Sequence, residues 1–149
     1  MSAQLSLAFT EDYPRLAPLL EALDVERGVA HDARAREAAI MPLLEGSPLG
    51  AVYIIGPTRA PIGFLIMTLT WSMDDGGIMA CVREIYVRPA VRGRGIAPES
   101  LTTLVAPLRS AGVRALAVEL DLTNNVAHGV YARALFQPRP DVRMMVRKL

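Results

Sequence analysis

The sequence predicts a mixed α/β fold built on one sheet. Three consecutive strand-like runs, "GAVYII", "IGFLIMTLTW" and "GIMACVREIYV", are separated by short turn-like segments, which is typical of an antiparallel meander. The third run is followed by a helical pattern and then by the strand-like run "VRALAVELDL". Because a strand–helix–strand crossover places its two strands parallel, the predicted sheet contains both kinds of pairing.

A short strand and two helices are expected before the meander. "LSLAF" alternates well enough for a strand, and Thr10 is a candidate helix cap in front of an apolar helical stripe. Pro14 falls in the first turn, where proline is tolerated, whereas Pro18 is expected to bend or shorten the helix. Residues 32–44 give a second, shorter helical pattern that ends at "EGSPLG".

The second half of the chain contains the crossover, another helix and a last strand. Residues 85–122 form the crossover, and Pro107 is expected to kink its helix or to end it early. "NNVAHGVYARAL" shows a second helical stripe, and "DVRMMVRKL" alternates apolar and basic residues, which predicts a closing edge strand. The predicted order is β-α-α-β-β-β-α-β-α-β.

Length and charge predict one domain over residues 1–149 and exclude some partners. A chain of 149 residues is long enough to bury about two-thirds of its unfolded surface. The 16 basic residues nearly balance the 15 acidic ones, so no overall field favours nucleic acid or a membrane. No uncharged apolar run approaches the roughly 18 residues of a membrane span.

Cysteine and histidine usage predicts a cytoplasmic protein without a metal site. The one cysteine, Cys81, cannot form an internal disulfide, and no charged-then-apolar leader is seen. Its apolar surroundings favour a buried structural thiol over a nucleophile. His31 and His128 lie far apart without carboxylate or thiol partners, so no metal is expected.

The stretch "VRPAVRGRGIAPES" concentrates arginine and glycine between a predicted strand and a predicted helix. The first amides of a helix lack partners within the helix and carry a partial positive charge. Glycine lets the backbone approach a ligand closely, and Arg88, Arg92 and Arg94 can add charge. This combination is typical of a phosphate-binding turn, and a solvated basic loop is the alternative.

Three phosphate-binding motifs compete at this junction. A Walker-type loop requires G-x-x-x-x-G-K-[ST], which does not occur in the sequence. A dinucleotide-binding G-x-G-x-x-G turn would have Pro98 at its third glycine, although Glu119 or Asp121 lies where a ribose-binding acid belongs. A single crossover after a meander disfavours that dehydrogenase-type reading. The third motif fits better.

"VRPAVRGRGIA" resembles the acetyl-CoA-binding signature [RQ]-x-x-G-x-[GA] of the GCN5-related N-acetyltransferases (GNAT), with Arg92, Gly95 and Ala97 at its fixed positions. The strongest resemblance covers about residues 62–136 in the family's order. "NNVAHGVYARALF" is similar to the segment N-x-x-A-x-x-x-Y-x-x-x-G-F, with matches at Asn124, Ala127, Tyr131 and Phe136. Leu135 replaces the usual glycine, so the end of this helix is expected to shift.

The resemblance implies a mixed, mostly antiparallel central sheet with a splayed parallel strand pair and flanking helices. It also implies acetyl-CoA as co-substrate, with its pyrophosphate on the amides of residues 92–97 and its pantetheine arm along the splayed strand. The cofactor-binding residues that it implies are Ile85, Tyr86, Val87, Arg92, Gly93, Arg94, Gly95, Ile96, Ala97, Asn124 and Tyr131.

Acetyl transfer to an amine requires two proton movements. An alkyl amine with a pKa of about 10.4 is about 99.9% protonated at neutral pH, and only its neutral form is nucleophilic. The departing CoA thiolate gains from protonation as the carbon–sulfur bond breaks. Tyr131 matches the family's thiolate-protonating tyrosine, whereas helical spacing alone would favour a core aromatic.

Glu84 is the candidate base, or the anchor of a base water, because it precedes the strand end expected at the acetyl group. The alternative for Glu84 is an ordinary strand glutamate or a partner of Arg83, and Asp121 could serve as base instead. The predicted function is N-acetyl transfer from acetyl-CoA to a primary amine by direct attack. A non-catalytic acyl-CoA-binding sensor of the same fold is the alternative.

The acceptor is expected to be a small-molecule or peptide amine that the sequence does not identify. The loop "TWSMDDGG" is predicted at an edge of the acceptor site, with Trp71 as a flat wall and Asp74 or Asp75 attracting an ammonium group. A simple hairpin tip is the alternative. The alternating C-terminal strand leaves a homodimer open.

Overall fold

The computed structural model describes residues 4–123 and 125–149. Its strands and α-helices in chain order are β1 (Leu5–Leu7), α1 (Tyr13–Arg27), α2 (Ala33–Leu44), β2 (Gly50–Ile55), β3 (Gly63–Ser72), β4 (Gly77–Val87), α3 (Ile96–Ser110), β5 (Ala115–Val118) and α4 (Asn125–Arg133). Pro18 and Pro107 lie inside α1 and α3 without ending them. Across the described ranges, no helix combines the length and the apolar character that a membrane crossing demands.

The five strands form one mixed sheet in the order β1-β2-β3-β4-β5. β1 to β4 are antiparallel neighbours, whereas β4 and β5 are parallel, with Met79 opposite Ala115 and Val82 opposite Val118. The predicted meander and the predicted parallel crossover are therefore confirmed. β5 ends at Val118 while β4 continues to Val87, so the parallel pair separates at this end.

The chain divides into two compact units, one that ends at Glu119 and one from Leu120 to Leu149. In the first unit, α1 and α2 pack on one face of the sheet through a buried cluster that includes Leu16, Leu19, Ile40, Phe64 and Tyr86. A second cluster joins the sheet to the start of α3 through Ile55, Val87 and Ile96. The single domain over residues 1–149 stays a prediction.

Polar side chains and a glycine determine where α1 and α2 begin and end. Before α1, the carboxylate of Asp12, rather than the predicted Thr10, accepts a backbone amide hydrogen bond at 2.8 Å. α1 ends at Gly28, whose φ of 67° is a left-handed conformation that glycine adopts at little cost. α2 follows Asp32, whose carboxylate accepts a hydrogen bond from the Ala35 amide at 2.7 Å.

In the second unit, α4 ends in a Schellman arrangement. The Phe136 amide donates to the Tyr131 carbonyl at 3.0 Å, and the Leu135 amide donates to the Ala132 carbonyl at 3.1 Å. Leu135 has a φ of 71°, the left-handed conformation that this position requires. Leu135 therefore adopts the backbone conformation of the glycine that it replaces, and the helix still closes with regular hydrogen bonds.

The closing strand predicted for residues 141–149 is not formed. In the described part of the chain these residues pair with no strand, and Val142, Met144 and Val146 are exposed. Alternating apolar and basic residues are compatible with a strand but supply no neighbour for its backbone hydrogen bonds, and a strand requires one.

Candidate active site

The junction between β4 and α3 is a turn of the kind that glycine forms readily. Gly93 and Gly95 have φ values of 78° and 74°, and Gly95 immediately precedes α3. Apart from the adjacent residues in the chain, no described residue has an atom within 4 Å of the position that a Cβ would take on either glycine. The two glycines therefore leave room for a ligand beside the first amides of α3, an arrangement that binds phosphate groups.

The side chain of Arg92 braces this turn. Its Nε donates to the Val87 carbonyl at 2.8 Å, and its Nη2 is paired with a carboxylate oxygen of Glu26 at 2.5 Å. Its guanidinium carbon lies 5.4 Å from the ring centre of Tyr86, which is itself buried. The hydrogen bond to Glu26 raises the pKa of Arg92 above its ordinary value. The guanidinium group of Arg92 is therefore already paired with groups of the protein itself, the Val87 carbonyl and the Glu26 carboxylate.

Arg88 and Arg94, the other two arginines of the junction, differ in their contacts. Arg88 Nε donates to the carbonyl of Pro61 at 2.9 Å. Arg94 is exposed and, within the described ranges, has no hydrogen-bond or ion-pair partner. Arg94 is therefore the arginine of this turn whose side chain is available to an anion.

The edge of β4 beyond Val82 has no neighbouring strand among the described residues. On the other side of β4, the Arg88 amide donates to the Ile62 carbonyl at 2.8 Å. Along an antiparallel ladder every second residue bonds to the partner strand, so Tyr86, like Arg88, faces β3. The N–H and C=O groups of the residues between them, Ile85 and Val87, point away from β3. The Val87 carbonyl already accepts a hydrogen bond from Arg92, so the groups that this edge offers to an extended ligand are the N–H and C=O of Ile85 and the N–H of Val87.

A β-bulge at Arg83 determines the face of the sheet on which Glu84 lies. Met67 is opposite Val82 and Ile66 is opposite Glu84, so Arg83 is an extra residue in β4. Consecutive residues of a strand point to opposite faces, so Ile66 and Met67 do. Because directly paired residues point to the same face, their partners Glu84 and Val82 also lie on opposite faces. The bulge therefore turns Glu84 toward the layer formed by α1 and α2.

Glu84 lines a cavity of about 260 Å³ between α1, α2, β3 and β4. Its two carboxylate oxygens lie 2.8 and 2.7 Å from Nη1 of Arg27, the last residue of α1. The side chain of Arg27 is half exposed. An amine that reaches Glu84 from this cavity therefore shares the carboxylate with Arg27 or displaces it.

In the second unit, Tyr131 is buried, with 6% of its surface exposed. Burial raises the pKa of its hydroxyl above the ordinary value of about 10, so the group is protonated at neutral pH. Its ring meets that of Phe136 edge-on, with centroids 6.0 Å apart. Tyr131 therefore carries the proton that a general acid needs and the packing that a core aromatic shows.

Asp121 is held in a turn before α4. Its Oδ1 accepts hydrogen bonds from the amide of Thr123 at 2.8 Å and from its hydroxyl at 2.7 Å. These hydrogen bonds lower the pKa of Asp121, which makes its carboxylate a weaker base. Asn124 lies outside the described residues, so its predicted cofactor contact stays a prediction.

The hairpin that joins β3 to β4 is remote from Glu84. Trp71 lies opposite Ile78, whereas Glu84 lies opposite Ile66. From Ile66 to Trp71 the strand advances by about 17 Å. The hairpin therefore does not border the cavity around Glu84, and its place at the acceptor site stays a prediction.

Residues 12–135 match the family model described as "Acetyltransferase (GNAT) family". The match spans the glycine junction, the unpaired edge of β4 and the whole of α4. The chain belongs to the GNAT acetyltransferase family. The resemblance and the mixed, mostly antiparallel fold with a separating parallel pair are thereby confirmed.

Solved structures share the GNAT fold with this protein. An integron cassette protein from the mobile metagenome of Cole Harbour Salt Marsh is 33% identical, with a TM-score of 0.79 over 98% of this chain and 90% of that one. Ribosomal-protein-alanine N-acetyltransferase from Brucella melitensis biovar Abortus is 17% identical, with a TM-score of 0.76 and full coverage of both chains, 100% each. An aminoglycoside N-acetyltransferase in complex with CoA is 17% identical, with a TM-score of 0.79 over 100% of this chain and 98% of that one. Among curated proteins the search found no match.

The junction of this GNAT protein fits the pyrophosphate of CoA. Gly93 and Gly95 leave the space beside the α3 amides open, and Arg94 is exposed next to them. Among the residues that the structure describes, no group of three or more histidine, cysteine, aspartate and glutamate side chains is arranged to hold a metal ion. The donors that this junction presents to an anion are the first amides of α3 and the guanidinium group of Arg94.

The sequence pattern did not reveal Glu26 and Arg27, which lie at the end of α1. Glu26 pairs with Arg92 of the junction, and Arg27 pairs with Glu84. The partners are separated by 66 and 57 residues, so no local spacing indicates these contacts. The end of this helix is thus tied both to the glycine junction and to the candidate base.

Proposed function

We propose that this protein transfers the acetyl group of acetyl-CoA to a primary amine by direct attack. The observation that carries the proposal is the pair of left-handed glycines, Gly93 and Gly95, at the start of α3 and beside the unpaired edge of β4. A pyrophosphate suits a helix N-terminus, and an extended arm suits a strand edge. CoA presents both groups in one molecule.

The backbone does most of the cofactor binding in this proposal. The pyrophosphate accepts hydrogen bonds from the first amides of α3, and Arg94 adds a charged contact. The pantetheine arm bonds to the outward-facing N–H and C=O of Ile85 and to the N–H of Val87. Arg92 holds the turn in shape through Val87 rather than contacting the phosphates itself.

The amine loses its proton at Glu84. The entering ammonium group displaces Arg27 from the carboxylate, and Glu84 accepts the proton directly or through a water molecule. The neutral nitrogen then attacks the acetyl carbonyl carbon, and the new carbon–nitrogen bond forms. The nitrogen releases its second proton to solvent as the tetrahedral intermediate collapses, and Glu84 passes its own proton to solvent before the next turnover. Asp121 is less suited to this role because its hydrogen bonds lower its pKa.

The leaving thiolate takes a proton from Tyr131. The electron pair of the breaking carbon–sulfur bond goes to sulfur, and the Tyr131 hydroxyl protonates it, so the products are the CoA thiol and the N-acetylated amine. The raised pKa keeps this hydroxyl protonated at neutral pH, and the tyrosinate regains its proton from solvent. The support for this role is the position of Tyr131 in the family segment.

Incubation of the purified protein with acetyl-CoA and a panel of amines tests the proposal. CoA thiol is measured with a chromogenic disulfide, and the acetylated amine is identified by mass. The proposal predicts equal amounts of the two products, with thiol release dependent on the amine. Thiol release at the same rate without any amine would indicate a hydrolase instead.

A non-catalytic acyl-CoA sensor is the second candidate function. It is favoured by the pairing of both Glu84 oxygens with Arg27, which occupies the candidate base. A sensor binds CoA in a calorimetric titration but releases no thiol with any amine. The enzyme both binds CoA and turns over, so the two measurements together distinguish the candidates.

A further inference from the structure

The cavity between α1, α2, β3 and β4 has walls whose size, polarity and charge suit one class of acceptor. We infer that this acceptor is a small primary amine with an apolar body and no second positive charge. The inference rests on the proposed function and names the substrate class of the same site.

The size and the walls of the cavity suit a small apolar body. Its volume of about 260 Å³ lies below the range of about 300–1,000 Å³ that is usual for pockets of drug-sized ligands. The larger apolar side chains that line it are Leu20, Leu23, Ile40, Leu43, Phe64 and Ile66. An acceptor with a hydrocarbon or aromatic body gains from burial against these walls, whereas a strongly hydrated one loses its water there.

The charges of the cavity are already balanced. Both oxygens of Glu84 are held by Arg27. Oδ2 of Asp24, the other lining carboxylate, accepts no hydrogen bond from the described residues, but it lies 3.8 Å from Nε of Arg36 and 3.3 Å from Nδ1 of His31. Arg36 is largely buried, so it cannot turn to solvent as an exposed arginine does. With Glu84 bound to the first ammonium group, Asp24 is the remaining carboxylate of the lining, so a second ammonium group would compete for it with the largely buried Arg36.

One ammonium group can be accommodated, at Glu84. Arg27 is half exposed, so its side chain can leave Glu84 for solvent when the acceptor enters. Ile66 lies directly opposite Glu84 across β3 and β4, and Phe64 lies two residues further along β3. An amine that is bound at Glu84 therefore places its body against Ile66 and Phe64.

Hexylamine and 1,6-diaminohexane test the inference because they differ only in the second ammonium group. Turnover with acetyl-CoA is expected to give a kcat/KM at least about tenfold higher for hexylamine, since the diamine brings a second positive charge into a cavity that Arg36 also lines. Calorimetric binding of both amines to the CoA-bound protein is measured in parallel. An equal or higher kcat/KM or affinity for the diamine would overturn the inference.

Binding keeps this test separate from the proposed function. If hexylamine binds more tightly than the diamine but no acetylated product forms with any amine, the transferase proposal fails and the cavity assignment stands. If acetylation occurs and the diamine is preferred, the transferase proposal stands and the cavity assignment fails.

A pair of variants in α1 places the amine in the cavity. Leu23→Asn puts a polar group on the cavity wall, so it should weaken hexylamine binding about tenfold. Val25→Asn on the same helix, at a position that is 75% exposed, should leave it unchanged. Leu20→Gln serves as a second wall variant if Leu23→Asn lowers the melting temperature. Unchanged hexylamine affinity in a folded wall variant would place the amine elsewhere.

Discussion

The glycine junction before α3 and the cavity beneath α1 and α2 acquire their geometry in different ways. The junction needs only a few consecutive residues, with left-handed turns at Gly93 and Gly95 and the start of a helix. The cavity is assembled from α1, α2, β3 and β4, and Glu84 faces it because Arg83 forms a bulge. The comparison teaches that a cofactor class can be encoded locally, whereas an acceptor class depends on long-range packing.

Tyr131→Phe has the largest expected effect and tests a residue that was identified from local spacing. Phenylalanine keeps the buried ring and its contact with Phe136 but removes the hydroxyl proton. We expect kcat to fall by roughly 10²-fold or more, while CoA affinity and the melting temperature stay close to those of the wild type. Near-normal kcat, with an amine for which chemistry is rate-limiting, would leave Tyr131 as a core residue only.

Glu84→Gln tests the cavity side of the comparison through pH. Neutral amine is scarce at low pH, so loss of the base should lower kcat/KM by about tenfold near pH 6 and much less near pH 10. Burial raises the pKa of Tyr131, so the falling limb from loss of its proton lies at higher pH than an ordinary tyrosine would give, away from the low-pH difference that tests Glu84. If the pH–rate profiles of the wild type and of Glu84→Gln differed only by a constant factor at every pH, the base role would be refuted.

The sequence predicts the junction better than the cavity, because the junction depends on interactions between neighbouring residues and the cavity on interactions between residues far apart in the sequence. The strand and helix periods and the turns at Gly93 and Gly95 depend on neighbouring residues, so the sheet order and the junction could be predicted. The bulge at Arg83 and the pairing of Arg27 with Glu84 join distant parts of the chain, so no local pattern indicated them. The predicted strand at residues 141–149 fails for the same reason, because alternation supplies no pairing partner.

Arg94→Gln sharpens the description of the junction, because Arg92 and Arg88 are engaged by protein groups. Removing an exposed charge near a phosphate should weaken CoA binding by about fivefold at low salt, and less at high salt. Arg109→Gln, at the other end of α3, removes the same charge and should leave the affinity unchanged. Calorimetric titrations with CoA at two salt concentrations compare the wild type and the two variants. Equal affinities for the wild type and Arg94→Gln would show that Arg94 does not contact CoA.

Leu135→Gly has the smallest expected effect and probes the end of α4. A left-handed conformation costs a leucine about 1–2 kcal/mol, and the greater chain entropy of glycine in the unfolded state offsets part of the gain. The free energy of unfolding should rise by about 1 kcal/mol in denaturant titrations. Leu122→Gly replaces another exposed leucine and should give no increase. A loss of stability in Leu135→Gly would show that the leucine side chain itself stabilises this turn.

The affinity of CoA for Gly95→Ala and for Gly112→Ala tests most directly whether the glycine junction is the pyrophosphate site. Both glycines have a left-handed φ, 74° and 87°, and no described atom lies near the added Cβ, so the two variants suffer similar backbone strain. Only the Cβ on Gly95 would enter the space beside the first α3 amides. Calorimetry should give at least about tenfold weaker CoA binding for Gly95→Ala and wild-type binding for Gly112→Ala. Equal affinities in the two folded variants would contradict the assignment.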